Sequence, residues 1–157
     1  MQTITPNIWF NRNADEAVDF YLSIFPDSRR ISTVQYPTEG LADFQQEFAG
    51  QTLTIEFELL GQRFIAINAG DEFQPNAAVS FLIACKDQAE IDHYWERLTA
   101  DGGEEQPCGW LTDKYGVAWQ VSPEDFDTTY AGNPRAFAKL MTMKKIILSE
   151  FEGLGRG

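Results

Sequence analysis

The sequence predicts an α+β fold made of two tandem βαβββ modules, which form a curved mixed sheet with a cleft, and a C-terminal helix. Two observations predict it. Each half of the chain has a helix start in which an Asx residue precedes a glutamate by three positions, Asn13 to Glu16 and Asp87 to Glu90. A strand precedes each helix, and three short segments of alternating apolar and polar residues follow it. Because a solenoid needs three or more repeats, two such units indicate a duplicated domain.

The duplication is also visible in the residues themselves. Val18-Asp19-Phe20-Tyr21 in the first helix resembles Ile91-Asp92-His93-Tyr94 in the second, and strand residues 65–67 resemble residues 119–121. Each module alone would leave one face of its sheet bare. Pairing of the two modules is therefore expected to cover that face and to leave a concave cleft.

The first module is predicted over residues 1–76. Asn13 is expected to cap its helix, which ends at Pro26. A loop over residues 37–50 contains several turn residues. The predicted strands are Thr3–Phe10, Arg30–Tyr36, Thr52–Leu60 and Gln62–Asn68.

The second module is predicted over residues 77–123 and ends in two strands joined by the turn Asp113–Gly116. The predicted elements are strands at 78–85, 105–107, 109–112 and 117–122 and a helix over residues 87–98, with Gly102-Gly103 after it. Because side chains alternate along a strand, Val117, Trp119 and Val121 share one face, which is expected in the core. The opposite face carries Ala118, Gln120 and Ser122, a small polar set that suits the lining of a cavity.

Residues 124–157 are predicted to be a helical extension with a flexible tail. Asn133-Pro134 is a strong helix start, and Lys144-Lys145 is expected to end that helix. The apolar face of the helix either packs on its own domain, or caps a cleft or meets a second chain. The glycines from Gly153 to Gly157 end the chain without a following helix, so they predict no phosphate or adenosyl cofactor site.

Charge and composition restrict the partners. Net charge is −12, from 24 acidic and 12 basic side chains, which argues against nucleic acid and anionic membranes as partners. No run of 18 apolar residues and no signal peptide are present, so a soluble protein in the cytoplasm is expected. Two cysteines and one histidine are too few for the usual zinc sites.

Several segments together resemble a known superfamily. They are NADEAVDFY, the strand pair around Leu60-Gly61-Gln62, SFLIACKDQAEIDHYW and CGWLTDKYGVAWQVSP. The chain is similar, roughly from Ile4 to Ile147, to the vicinal oxygen chelate superfamily of glyoxalase I, bleomycin-resistance proteins and extradiol dioxygenases. Within it, the chain looks most like the PhnB-like branch, often named "3-demethylubiquinone 3-methyltransferase domain". The resemblance implies paired βαβββ modules and a homodimer.

The same resemblance implies four strand positions at which the superfamily's enzymes hold a divalent metal with His and Glu. Here the four positions are Pro6 or Asn7, Ala66, Ser80 and Gln120. None of these side chains donates strongly to a cation, so no metal and no other cofactor are expected. The metal-dependent activities of the superfamily are therefore not carried over.

The candidate site residues lie on the strands. Glu56 and Glu58 alternate with apolar residues and are weak candidates for acid–base chemistry, the alternative being a solvated sheet face. Candidate ligand-binding residues are amides, a hydroxyl and aromatic rings, the alternative being plain core packing: Asn7, Trp9, Asn68, Ser80, Trp110 and Gln120. Phe64, Ala66 and Asn68 are expected to share the face that lines the cleft.

The thiols and the single histidine receive simpler interpretations. Cys85 is expected to point away from the cleft, and His93 to be exposed on the second helix. Cys108 could border the cavity, but no histidine is near in sequence to activate it, so a buried inert thiol is expected.

Three functional hypotheses stay open at this point. The first is metal-free binding of a small organic ligand in the cleft, with the biochemical activity unassigned. The second is an enzyme that uses a divalent ion through atypical ligands such as Glu56, Glu58, Asn7 and Gln120. The third is a dimeric interaction module whose cleft holds no ligand. The residues do not decide whether the chain is an enzyme.

Overall fold

Two four-stranded sheets, each with a helix against one face, form the two units of the chain, Met1–Pro75 and Asn76–Gly157. The computed structural model describes residues 1–154, without the side chain of Thr129. The rest of the predicted flexible tail, residues 155–157, lies outside the described residues. The fold class is confirmed, because each unit shows the βαβββ order.

The elements of the first unit are β1 (Asn7–Asn11), α1 (Ala14–Ile24), β2 (Ser28–Gln35), β3 (Thr52–Leu59) and β4 (Gln62–Ala69). Its strands pair in the order β1-β4-β3-β2. Strands β1 and β4 are parallel, and the other pairs are antiparallel. A 3₁₀ helix, Asp43–Phe48, lies in the long loop before β3.

The sheet elements and helix of the second unit are β5 (Ser80–Cys85), α2 (Gln88–Thr99), β6 (Glu104–Glu105), β7 (Trp110–Thr112) and β8 (Ala118–Pro123). They repeat the arrangement of the first unit in the order β5-β8-β7-β6, with β5 and β8 parallel. Two short helices follow, α3 (Phe126–Thr129) and α4 (Pro134–Leu140).

Each core lies between the helix and one face of its sheet. In the first unit the Tyr21 ring of α1 stacks on Phe57 of β3, and Phe57 stacks on Phe64 of β4. In the second unit α2 buries Ile91, Tyr94, Trp95 and Leu98, while the sheet buries Leu111, Trp119 and Val121. Each large side chain removed from water contributes about 1.5–3 kcal/mol, so these faces hold each helix to its sheet.

The two helix starts differ in their caps. Asp87 accepts from the Glu90 N–H at 2.9 Å, as the sequence predicts. Asn13 makes no side-chain cap, so that prediction is wrong, and within residues 1–154 its buried Oδ1 has no hydrogen-bond partner. Instead, the Ala14 N–H donates to Asn68 Oδ1 of β4 at 3.1 Å. A side chain distant in sequence thus replaces the local cap.

The register of the first sheet corrects the predicted face of β4. Ile8 of β1 and Ile55 of β3 both pair with Ala66. Paired residues point to the same face, so Phe64, Ala66 and Asn68 face the core under α1 rather than a cleft. The error arises because β4 has apolar residues at alternate positions on both faces, and alternation alone does not decide which face is covered.

The helix after Asn133 is shorter than predicted. Asn133 does cap it, accepting from Arg135 N–H and Ala136 N–H at 3.0 and 3.3 Å. The helix ends at Leu140 and does not reach Lys144-Lys145. The backbone beyond it has other partners, because Cys108 N–H and Gly109 N–H donate to the carbonyls of Met143 and Lys144, each at 2.8 Å.

The segment after β8 packs within its own unit. Its buried cluster consists of Ala136, Leu140, Met143, Ile146 and Phe151. Packing on its own domain, one of the two alternatives, therefore holds for these five residues, whereas Phe137 and Met141 stay exposed. No helix among residues 1–154 is both long enough and apolar enough to cross a membrane.

Candidate functional site

A cavity of about 290 Å³ lies in the second unit, on the sheet face opposite α2. We call this the open face; it carries Leu82, Ala84, Gln120 and Ser122. The turn before β7 contributes Cys108, Gly109 and Trp110. The segment after β8 contributes the remaining wall, which consists of Pro123, Glu124, Phe126, Asp127, Leu140 and Ile146.

Two polar side chains of β8 offer hydrogen-bonding groups to the cavity. Gln120 Nε2 donates to Ser80 Oγ at 2.9 Å, which leaves the Gln120 carbonyl oxygen as an acceptor without a partner among residues 1–154. Ser122 is 8% exposed, and in the same described part of the chain its hydroxyl has no hydrogen-bond partner. Buried polar groups are normally satisfied, so a hydroxyl left open in a cavity wall indicates a place for water or a ligand.

The turn Asp113–Gly116 fixes the register of β7 against β8, which aligns Trp110 with Gln120. The Asp113 carboxylate accepts from Tyr115 N–H, Val117 N–H and the Trp119 indole N–H at 2.8, 3.1 and 2.9 Å. Asp113 is buried, and its carboxylate is satisfied by these donors. It therefore has a structural role, as the sequence indicates.

Three of the predicted ligand-binding residues lie together in this unit. Trp110 and Gln120 line the cavity, and Ser80 orients Gln120 through its hydroxyl. Cys108 borders the cavity too, but it is half-buried and not the buried thiol that the sequence predicts. Its Sγ lies 3.8 Å from Met141 Sδ.

The other predicted residues lie in the first unit. Asn7 is exposed and donates to the Thr5 carbonyl. The Trp9 indole donates to the Gly70 carbonyl at 2.9 Å, and its ring meets Phe73 edge-on. Asn68 is buried, donates to the Thr52 carbonyl and caps α1.

Glu56 and Glu58 are also in the first unit, and both are paired. Glu56 lies 3.2 Å from Arg63, and Glu58 lies 3.2 Å from Arg29. Each pair places an arginine beside a carboxylate on a half-exposed sheet face, an arrangement that the solvated-face alternative also expects.

The sequence reasoning missed the wall that follows β8. Phe126, Leu140 and Ile146 lie far along the chain from Gln120 or in a different element, so no spacing links them to it. Ser122 carried a usable signal, since it alternates with Gln120 on the predicted polar face of β8.

The four superfamily metal positions do not fit a divalent cation. In the first unit the side chain of Ala66 has no ligand atom and is fully buried in the core, and of Pro6 and Asn7 only Asn7 offers one, an amide. In the second unit Ser80 and Gln120 bond to each other. Hard cations prefer several carboxylate oxygens. Over residues 1–154 no group of three or more His, Cys, Asp or Glu side chains is placed to hold a metal ion.

Burial separates the two thiols. Cys85 is fully buried, and this desolvation raises the pKa of its thiol to about 12. The ordinary pKa of a cysteine thiol is 9.0, so above pH 9.0 the unfolded chain loses a proton that the folded chain keeps. The part of the free energy of unfolding that depends on the neutral Cys85 thiol is therefore fully present below about pH 9. It falls as the pH rises to about 12.

Iodoacetamide is expected to alkylate Cys108 and to spare Cys85 in the native protein at about pH 8, because only a thiolate that solvent can reach reacts. Peptide mass spectrometry measures the labelling of each residue. The Cys108→Ser variant should leave the native protein unlabelled until denaturant is added. Equal labelling of both cysteines in the native protein would contradict the burial of Cys85.

A family model described as 3-demethylubiquinone-9 3-methyltransferase matches residues 2–122. The chain belongs to this family. A PhnB protein from Bacillus cereus that carries the same description is 31% identical, with a TM-score of 0.65 over 76% of this chain and 98% of that chain. The resemblance to the PhnB-like branch of the vicinal oxygen chelate superfamily is thus confirmed. No curated protein matches the chain.

Structures with lower sequence identity share the fold of this family member. Protein PA1353 from Pseudomonas aeruginosa is 19% identical, with a TM-score of 0.63 over 78% of this chain and 98% of that chain. The fosfomycin resistance protein FosX from Listeria monocytogenes, complexed with Mn(II) and 1S,2S-dihydroxypropylphosphonic acid, is 18% identical. Its TM-score is 0.53 over 77% of this chain and 91% of that chain.

The match to the family model stops inside β8. All cavity residues from Pro123 to Ile146 therefore lie beyond it. The wall that these residues form is a feature of this chain that the family model does not describe.

Proposed function

We propose that this chain binds a small organic molecule in the cavity on the open face of the second sheet, and that it does so without a divalent cation. The observation that carries the proposal is the pair of unfilled polar groups in the cavity wall. The Gln120 carbonyl oxygen and the Ser122 hydroxyl lack hydrogen-bond partners among residues 1–154. Such groups orient a ligand whose apolar part contacts the rest of the lining.

The size of the cavity limits the ligand. A water molecule occupies about 30 Å³ in the liquid, so 290 Å³ corresponds to roughly ten waters. Ligand pockets begin at about 300 Å³. A molecule of about ten non-hydrogen atoms therefore fits, and the volume is too small to enclose a whole nucleotide cofactor.

Mn(II)-dependent chemistry of the kind suggested by the FosX complex is not proposed for this chain. Its own metal positions offer Pro6 or Asn7, Ala66, Ser80 and Gln120, a set without carboxylate or imidazole. The alternative ligands Glu56 and Glu58 pair with arginines.

Methyl transfer from an adenosyl cofactor is not proposed either, despite the family's description. Such cofactors bind at a glycine-rich turn between a strand and a helix. The turn from β1 to α1 consists of Arg12 and Asn13, and that from β5 to α2 of Lys86 and Asp87. Neither turn contains a glycine, so neither lets its backbone approach a ligand as closely as a glycine-rich turn does.

A screen of small amines, alcohols and carboxylates by heteronuclear NMR tests the proposal. We expect at least one compound to shift the side-chain amide of Gln120 and the indole of Trp110, while the indole of Trp9 in the first unit stays unchanged. The Gln120→Leu variant should bind that compound about tenfold more weakly, since it loses a hydrogen-bond acceptor.

Two controls accompany this screen. The Gln62→Leu variant, changed at an exposed position of the first unit, should bind like the wild type. Addition of a chelator should leave the affinity unchanged. A library without any compound that shifts the cavity resonances would overturn the proposal, and loss of binding on chelation would overturn its metal-free part.

The homodimer and the cytoplasmic location stay proposals that come from the resemblance and from the composition. Light scattering of the purified chain distinguishes a dimer from a monomer of 17.8 kDa.

A further inference from the structure

We infer that the ligand of this cavity is a small organic cation, an amine with an apolar body, and that the segment after β8 selects it. We call residues 124–151 the selector segment. The inference rests on the proposed function and adds the charge class of the ligand. It also assigns a role to residues that lie beyond the family match.

The charges around the cavity have one sign. Glu124 and Asp127 line it, and no Lys, Arg or His is found among the lining residues that the structure describes. Neither carboxylate forms an ion pair within residues 1–154. Two ammonium groups of the selector segment are paired, Lys139 with Glu150 at 3.3 Å and Lys145 with Asp92 at 2.8 Å. A cation in the cavity would therefore meet only negative charge among the lining side chains.

The unfilled polar groups offer acceptors to a ligand that donates. One of the two N–H groups of the Gln120 amide donates to Ser80, and the carbonyl oxygen, an acceptor, has no partner among residues 1–154. The hydroxyl of Ser122, which is more than nine-tenths buried, accepts as well as donates. An ammonium group supplies up to three N–H donors, which these two acceptors can receive. Trp110 also lines the cavity, and an indole ring attracts cations.

The remaining lining is apolar and suits a hydrocarbon body. Leu82 on β5 is 59% exposed and borders the cavity. Phe126, Leu140 and Ile146 of the selector segment complete the apolar wall. The segment thus supplies both the apolar contact and the carboxylates.

The selector segment is held in place before any ligand arrives. Gln88 at the start of α2 donates to the Ile146 carbonyl at 3.0 Å and accepts from Leu148 N–H at 2.8 Å. Hydrogen bonds from Lys145 and Gln88 lower the pKa of the Asp92 carboxyl, which keeps the ion pair between Lys145 and Asp92 charged. Because these hydrogen bonds already fix the wall, ligand binding loses little free energy to the ordering of the selector segment.

Three probes with the same phenyl–ethyl type of body test the charge class: phenethylamine, 2-phenylethanol and phenylacetate. Their affinities are measured by NMR titration of the cavity resonances. We expect phenethylamine to bind about tenfold more tightly than the other two probes. Two solvent-exposed carboxylates can stabilise an ammonium group by this amount. Because surface charge is screened, this preference should shrink at about 1 M salt.

A pair of matched variants assigns the preference to the selector segment. The double variant Glu124→Gln, Asp127→Asn should lose the preference for the amine and retain the affinity for the alcohol. The double variant Glu96→Gln, Glu152→Gln makes the same change in net charge at exposed residues outside the cavity, so it should keep the preference.

The outcomes separate the two proposals. Equal or tighter binding of 2-phenylethanol or phenylacetate, or a preference that survives in the Glu124–Asp127 double variant, would overturn the cation assignment and leave the binding cavity standing. If none of the three probes shifts the cavity resonances, the cation assignment fails and the proposed function loses its support as well.

Discussion

Replacement of Asp113 by alanine is expected to lower the free energy of unfolding by about 3–5 kcal/mol. The carboxylate accepts hydrogen bonds from two backbone N–H groups and from the Trp119 indole. Alanine leaves all three donors without this acceptor in the buried turn that joins β7 and β8. Urea denaturation followed by tryptophan fluorescence measures the loss.

Two comparisons make this result specific. The Asp113→Asn variant keeps one oxygen for the backbone donors but places an NH₂ group toward the Trp119 indole, so it should lose about half as much. The Asp71→Ala variant removes an equal charge from an exposed position and should change stability by less than about 0.5 kcal/mol. A loss below about 1 kcal/mol for Asp113→Ala would show that the turn does not depend on its carboxylate.

The Gly109→Ala variant is expected to lose about 2–4 kcal/mol of unfolding free energy. Gly109 has φ +81°, where a Cβ is strained. That Cβ would also lie 2.9 Å from the Val121 carbonyl oxygen and 2.9 Å from Ile146 Cδ1. The end of the isoleucine side chain can move, but the carbonyl belongs to β8 and cannot move without disturbing the strand.

The Gly40→Ala variant separates the cost of backbone strain from the cost of the contact with β8. Gly40 has nearly the same φ, +80°, but nothing lies within 4 Å of an added Cβ, so only the backbone strain of about 1 kcal/mol is expected. The Gly132→Ala variant has open space and no positive φ, and it should be close to neutral. Equal losses at Gly109 and Gly40 would mean that the contact with β8 has no cost.

Much of the fold could be predicted because its signals are local. The capping pattern from Asp87 to Glu90, the turn Asp113–Gly116 and the cap at Asn133 each depend on residues a few positions apart. Alternation along β8 likewise gave the relation between Gln120 and Ser122, since a strand fixes which side chains share a face.

The sequence by itself thus determined the duplicated βαβββ pattern, the two helix starts and the polar face of β8. Only the tertiary structure decided that Asn68 caps α1 in place of Asn13, and that Phe64 and Ala66 face the core. It alone brought Ile146 against the turn at Gly109 to form a wall of the cavity. The reason is physical: local sequence sets the period of an element, whereas the neighbour that covers each face depends on contacts between residues far apart in the chain.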